Sequence, residues 1–285
     1  RVARGALGMS AEPPFGAYAP GPVPAVARRL AAATGAGGAG KLLRSLLFRT
    51  MGGRVRRPRD VVVFGGERAR LHPYDNLSEK RVYRSEPHWD ARERAFVEAR
   101  ARAGAGPFVF VDVGANAGLY TLAARSAARA AGRSFRGVAL EPQPEMVERL
   151  RFNLEASGAA AEVTVLPWAA AEAAGELTLA APARNRGAAR RAEEGFTVEA
   201  RPLLDAVRAA ELDHVDVLKI DIEGQEEPVL AAFFQAAPPP LRPEAIVIEA
   251  GRGDLDLPGP KLCRRHGYAV ETTTRMNALF VKGEA

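Results

Sequence analysis

Apolar residues in this chain fall into short unbroken runs separated by stretches of helical periodicity. The clearest run is Phe108-Val109-Phe110-Val111, set off by Gly104, Gly106 and Pro107 and closed by Asp112. A β-branched and aromatic run between breakers predicts a strand buried on both faces. A turn with Gly114 and Gly118 follows, and the Ala-rich segment Leu119 to Ala131 reads as a helix. The alternation then repeats. Phe135 to Leu140 is an expected strand ending in Glu141, and Pro142-Gln143-Pro144 opens a helix to about Ser157, stopped by Gly158. Glu162 to Leu166, Val215 to Ile220 and Ala245 to Ile248 are further expected strands, the last two ending in Asp221 and Glu249. Glu226 to Gln235 reads as a helix ended by Pro238-Pro239-Pro240, and Glu176 to Leu179 pairs with Phe196 to Glu199 around Asn185-Arg186-Gly187. Lys261 to His266 is helical, and Tyr268 to Thr272 and Ala278 to Val281 close the chain as antiparallel strands. The pattern predicts an α/β fold: a doubly wound, mostly parallel sheet with an antiparallel C-terminal strand.

Ahead of this region the pattern weakens. Val61 to Phe64 and Arg68 to Leu71 predict a hairpin around Gly65-Gly66, Ser85 to His88 a loop, and Asp90 to Ala103 a helix that starts after an Asp cap. Residues 1–57 are rich in Pro, Gly and Ala. They read as a partly disordered extension, largely without structure, with helical pieces at Val26 to Ala33 and Lys41 to Thr50 and no regular element across Ala11 to Ala25. In Lys41 to Thr50, Leu42, Leu43, Leu46 and Leu47 face away from Arg44 and Arg49. Such a piece docks on its own domain or rests on a membrane surface or a partner. The expected division is an extension at 1–57, a cap segment at 58–107 and a ligand-binding domain at 108–285. Gly35 to Lys41 has the spacing of a phosphate loop, but no strand precedes it and Leu42 stands where Ser or Thr would hold magnesium.

Composition narrows the classes. The chain has 285 residues with 40 Lys and Arg against 34 Asp and Glu, a formal charge of +6. Arginine is spread throughout, so the balance reads as a solvated surface and nucleic acid is not an expected partner. The one cysteine, Cys263, rules out an intramolecular disulfide and zinc-cluster spacing. No apolar run reaches a membrane span and no signal peptide is evident, so a cytoplasmic location is expected.

The candidate chemistry lies at strand ends. Asp112, Glu141, Asp221 and Glu249 each close a predicted strand, where doubly wound sheets bind ligands. The turn fails the dinucleotide pattern GxGxxG, because Asn116 and Leu119 stand where glycines are needed. A nucleoside without a phosphate chain fits better. Glu141 is placed to accept the hydroxyls of a ribose, and Gly114 and Asn116 sit beside the amino-acid end of a ligand such as S-adenosyl-L-methionine.

Four blocks then carry a resemblance: VDVGANAGLYT (Val111 to Thr121), LEPQPEMVERLRFNL (Leu140 to Leu154), LKIDIEGQEEPVL (Leu218 to Leu230) and IVIEAG (Ile246 to Gly251). Together they resemble the FkbM family of S-adenosylmethionine-dependent methyltransferases over roughly Asp60 to Lys282. The resemblance implies a class I, Rossmann-like methyltransferase fold and methyl transfer to a hydroxyl on a sugar, glycan or polyketide-type acceptor. The implied cofactor residues are Asp112, Gly114, Asn116, Gly118, Glu141 and Asp221. Where the family offers a polar residue before an Ala-containing stretch, this chain has Pro167-Trp168-Ala169-Ala170, which sets adenine against Trp168 and Ala169. Asp221 and Glu223 are the candidate bases. His88 is a weaker one, Glu249 is a weaker counterpart of Asp112 at the cofactor, and Lys219 reads as an ion-pair or packing residue. A metal on Asp221, Glu223 and Glu249 is conceivable, but none is expected. Two other readings remain open: a non-catalytic nucleoside-binding module and a nicotinamide-dependent oxidoreductase.

Overall fold

The computed structural model describes residues 12–53, 55–182 and 185–283. The chain enters through helices α1 (Pro22–Ala32) and α2 (Gly38–Thr50), the hairpin β1 (Arg59–Val63) and β2 (Glu67–Leu71), and helices α3 (Leu77–Ser85) and α4 (Ala91–Ala103). Then come β3 (Phe108–Val113), α5 (Leu119–Ala130), β4 (Phe135–Leu140), α6 (Pro144–Ala156) and β5 (Val163–Leu166). Short strands β6 (Ala169–Ala171), β7 (Gly175–Ala180), β8 (Arg190–Arg191) and β9 (Phe196–Pro202) lead to α7 (Leu203–Ala209). The chain finishes with β10 (Val217–Ile220), α8 (Glu226–Ala236), β11 (Ala245–Glu249), α9 (Pro258–Arg265), β12 (Tyr268–Thr273) and β13 (Asn277–Lys282).

Among the described residues, seven strands form the central sheet in the order β12-β13-β11-β10-β3-β4-β5. β11, β10, β3, β4 and β5 are parallel, and β13 joins β11 antiparallel. The unbroken apolar run of β3 follows from burial on both faces. Phe108 and Phe110 pack with Leu122 of α5 and Leu150 of α6, while Val109, Val111 and Val113 pack with Val207 of α7 and Phe233 of α8. Strand order reverses at β3: the chain turns outward to β4 and β5 and later returns on the other side to β10. That switch point opens a crevice at the carboxyl ends of β3 and β10. The strands β6, β9, β7 and β8 form a separate small sheet beside it.

The N-terminal half holds more regular structure than its composition indicates. Residues 1–11 and Arg54 lie outside the described residues. Beyond them α1 begins at Pro22 rather than Val26, because Pro22 and Pro24 occupy its first turn, where a missing N–H leaves no bond unmade. The Pro-rich lead-in is pinned. Arg70 donates to the carbonyls of Pro13 and Pro14, and Asp60 accepts from the N–H groups of Gly16 and Tyr18. α3 is a helix that the apolar pattern does not predict, and Glu86–His88 is a single 3-10 turn rather than a loop. The Asp90 cap is corrected. Asp90 precedes α4 at φ 40° with no capping bond, and its carboxylate accepts instead from the Tyr120 hydroxyl at 2.9 Å. No helix among the described residues is long and apolar enough to cross a membrane.

Candidate functional site

A cavity of about 540 Å³ opens over the switch point. That volume suits a nucleoside-sized ligand. Gly114, Asn116, Glu141, Trp168, Ala169, Asp221 and Glu223 all line it, so most of the residues singled out in the sequence meet in one place. Asp112 and Gly118 lie behind its wall: Asp112 is fully buried, and Gly118 is packed so closely that a Cβ there would stand 2.4 Å from Leu150.

The glycine turn serves the fold first. Gly114 has φ 78°, and a Cβ would sit 2.1 Å from the carbonyl oxygen of Asp221. The glycine is required because the ends of β3 and β10 touch. Its N–H and that of Ala115 both donate to Leu140 O, at 3.0 and 2.9 Å. Asn116, at φ 53°, knits three segments: its Oδ1 accepts from Asn76 and from Ala117 N–H, and its Nδ2 donates to Gly187 O. The Asn185-to-Gly187 segment is therefore a wall of the cavity, and Asn185 also accepts from Leu77 N–H at the start of α3.

Carboxylates set the electrostatics. Glu141 accepts the N–H of Asn116 at 2.8 Å and of Gln143 at 2.9 Å, one on each oxygen, leaving further lone pairs. Burial pushes its carboxyl up to about 7 against the pull of those two N–H groups. Lys219 stands beside Asp112 because β10 pairs with β3 at that register. Its ammonium donates to Gly114 O and lies 3.7 Å from Asp112 Oδ1 and 3.6 Å from Asp221 Oδ2. Burial alone would lower the Lys219 pKa; Asp221 and Asp112 outweigh it and raise it. Asp112 is itself raised by burial, opposed by Lys219, and its Oδ1 accepts no hydrogen bond.

Glu249, at the end of β11, is pushed up to about 7 by burial and by the nearby acids Asp221, Glu226 and Glu223. Ligand oxygens of Asp221, Glu226 and Glu249 all come within 4.8 Å of one another. Glu226 replaces Glu223 in the trio considered for a metal, and one of its oxygens accepts Ile222 N–H and Gly224 N–H. Glu223, at φ 57°, pairs with Arg190 of β8 at 2.9 Å. His88 is outside the cavity and hydrogen-bonds Ser85 and Arg44.

Several further residues line the cavity without an individual role assigned from sequence: Leu77, Ser78 and Arg81 of α3, Trp89 and Asp90 before α4, all in the polar stretch ahead of the glycine turn that could cover a ligand, and Tyr120 on α5. α3 did carry a signal. Asn76 with Glu79 three residues on is a capping pattern, and Asn76 Oδ1 accepts Glu79 N–H. Burial, then Asp90, hold the Tyr120 hydroxyl well above its ordinary pKa, so it donates to Asp90 as a neutral phenol.

A parallel sheet reversed at β3 and β10, closed by an antiparallel strand, with a nucleoside-sized cavity at its acidic strand ends, defines the class I methyltransferase fold. The chain belongs to the FkbM methyltransferase family: the family model described as Methyltransferase FkbM domain matches residues 112–258, just over half of its length. Among solved structures, it is similar to the methyltransferase FkbM from Methylobacillus flagellatus KT, with 17% identity and a TM-score of 0.43. That alignment covers 90% of this chain and 58% of the other. It is also similar to precorrin-6y C5,15-methyltransferase from Geobacter metallireducens GS-15, with 16% identity and a TM-score of 0.43 over 68% of this chain and 88% of that one. Likeness at this level carries no information about substrate. No curated protein sequence matches the chain.

Proposed function

We propose that the chain is an S-adenosylmethionine-dependent O-methyltransferase acting on a hydroxyl of a sugar, glycan or polyketide-type acceptor. The observation that carries this reading is the set of carboxylates, Glu141, Asp221 and Glu249, along one cavity in a methyltransferase family member, with Glu141 and Glu249 both raised by burial. The residues fit the cofactor. Glu141 keeps free lone pairs for ribose hydroxyls, Trp168, Ala169 and Leu177 offer an apolar flank for adenine, and the acidic floor suits a positive charge.

When bound, the cofactor would supply an electrophilic methyl group carried on a sulfonium. The protein's share is orientation, exclusion of water and removal of the acceptor's proton. Asp221 and Glu249, on adjacent strand ends, are the groups to take that proton. Lys219 stands 3.6 Å from Asp221, and a carboxyl near 7 in Glu249 is matched to proton transfer at neutral pH. Glu223 serves as a base only when Arg190 releases it. Asp112 acts from behind the wall, fixing Lys219. Glu226 braces the turn after β10 through two N–H bonds to one of its oxygens.

Calorimetry with S-adenosylhomocysteine tests the cofactor, and a folded chain that does not bind it sinks the reading. Incubation with methyl-labelled cofactor and extracts of small molecules and glycans tests the transfer. Asp221→Asn and Glu249→Gln are expected to lower labelling far more than cofactor affinity. Cofactor binding with no labelled acceptor would instead make the chain a binding module.

A further inference from the structure

α1 and α2 pack along each other and onto α3. Their inward residues are small or anchored: Ala27 and Ala31 on α1, Phe48 and Arg44 on α2. Arg44 donates to Thr34 and Gly35 O in the connecting turn, and Tyr83 and Ser85 of α3 donate to Met51 O and Ala31 O. The pair is thus held as a formed unit. Its outward residues are large and aliphatic. Val23, Val26 and Leu30 on α1 are 52–64% exposed, and Leu42, Leu43 and Leu46 on α2 are 46–65% exposed. Of the eleven large apolar residues exposed among the described residues, these are six. Scattered surface leucines need no explanation, but this concentration on two adjoining helices does.

Charge selects the occupant. Residues 1–59 hold eleven Lys and Arg against the single acid Glu12, whereas the rest of the chain has 29 against 33. Glu12 pairs with Arg70, and the two helices carry no acidic side chain. Arg29, Lys41 and Arg49 are exposed beside the aliphatic residues. Cations flanking outward Leu and Val match a surface that is apolar below and anionic above. Nucleic acid would call for aromatic stacking groups there, and these positions hold only aliphatic ones.

We propose that α1 and α2 dock the protein on a bilayer rich in anionic lipid. Val23, Val26, Leu30, Leu42, Leu43 and Leu46 enter the acyl boundary while Arg29, Lys41 and Arg49 meet the headgroups. The helices are already folded, so docking orders no new segment. This goes beyond the methyl-transfer reading and stands without it.

The test is co-sedimentation of the full chain with vesicles of phosphatidylcholine containing phosphatidylglycerol, against phosphatidylcholine alone, with mass photometry of the free protein. Association with the mixed vesicles is expected to be at least about tenfold tighter and to weaken as salt is raised. Replacing Leu42, Leu43 and Leu46 together by Ser should lower it about tenfold or more. Lys41→Glu with Arg49→Glu, which leaves every aliphatic residue in place, should abolish the preference for phosphatidylglycerol. Circular dichroism checks that both variants keep their helices. Absence of vesicle binding by the unaltered chain, or equal binding by the Ser variant, overturns the proposal. So does a dimer that the Ser variant turns into monomers without any vesicle binding, because the partner is then a second copy of the chain.

Discussion

Where β1, β2, α3 and α6 meet, Asp60 and Glu79 are as buried as Asp112 and Glu141 at the strand ends, with exposures of 4%, 0%, 0% and 5%. The first pair is answered by arginine. Arg70 donates to both oxygens of Asp60 at 2.7 and 2.9 Å, and Arg149 reaches Glu79 at 2.9 Å and both oxygens of Asp75 at 3.0 Å. Burial raises the carboxyl pKa values of Asp60 and Glu79. Arg70 with two N–H donors for the one, and His72 with Arg149 for the other, more than reverse that and leave both lowered. Glu141 has two neutral N–H donors and a distant Lys219, so burial prevails and its carboxyl stays near 7. One group of acids is structural and complete. The other is buried at a binding cavity with its charge only partly compensated, which is how a site prepares for a cation or a proton.

The largest test of this contrast is Arg149→Met. It takes the arginine away from the buried Glu79 and Asp75, while Glu145 keeps Arg186, and should cost about 3–5 kcal/mol in urea unfolding. Glu141→Gln, which removes a charge that its two N–H donors and Lys219 only partly compensate, should be close to neutral or stabilising. Equal losses in the two variants would erase the distinction.

Next in size is ligand binding. If Glu141 is reserved for ribose hydroxyls, Glu141→Ala should weaken S-adenosylhomocysteine binding by about 10–100-fold, the range for hydrogen bonds to a charged group. Calorimetry on a variant with an unchanged melting temperature separates this from unfolding. Unaltered affinity would mean that the two N–H groups are the whole of its role.

Protonation distinguishes the groups by sign. Glu141 has a folded pKa near 7, above its ordinary 4.5, so between those values the native state holds more protons than the unfolded chain. Its contribution is best at low pH and is lost as pH rises through 7. Asp60 and Glu79 are lowered, so theirs is present above the ordinary carboxyl range and lost as pH falls toward their folded values. Stability should therefore peak in mildly acidic solution and fall by about 1–3 kcal/mol toward pH 8, with Glu141→Gln flattening the upper limb. Glu249 adds to the same limb, reduced by its partial exposure.

The sheet was legible because β3, β4, β10 and β11 are buried on both faces and show as apolar runs, and because each ends in an acid. Three of those four acids line one cavity. What sequence did not show is what each acid touches. The bond from Arg149 to Asp75 joins positions 74 residues apart, a separation invisible to periodicity. α3 stayed hidden because its inward face carries Glu79 and Ser85, polar residues that are buried only because Arg149, His72 and Ala31 O satisfy them. Asp90 has the residue type of a cap, but packing of Trp89 on Tyr120, with centroids 4.8 Å apart, draws Asp90 onto the Tyr120 hydroxyl.

The smallest expected effect concerns Glu223, which chain order alone makes as good a base as Asp221. Its side chain is 30% exposed and turned to Arg190, itself 64% exposed, so the pair lies in high dielectric at the cavity rim. Such pairs contribute about 0–1 kcal/mol. Glu223→Gln should leave the melting temperature unchanged and reduce methyl transfer only a few-fold, well short of the loss in Asp221→Asn. Arg190→Ala is the sharper variant. It frees Glu223 without removing it, so a rise in transfer would show that the carboxylate becomes a working base once released. An unchanged rate, with Glu223→Gln also mild, would leave proton removal to Asp221 and Glu249, the two acids whose strands hold them in place.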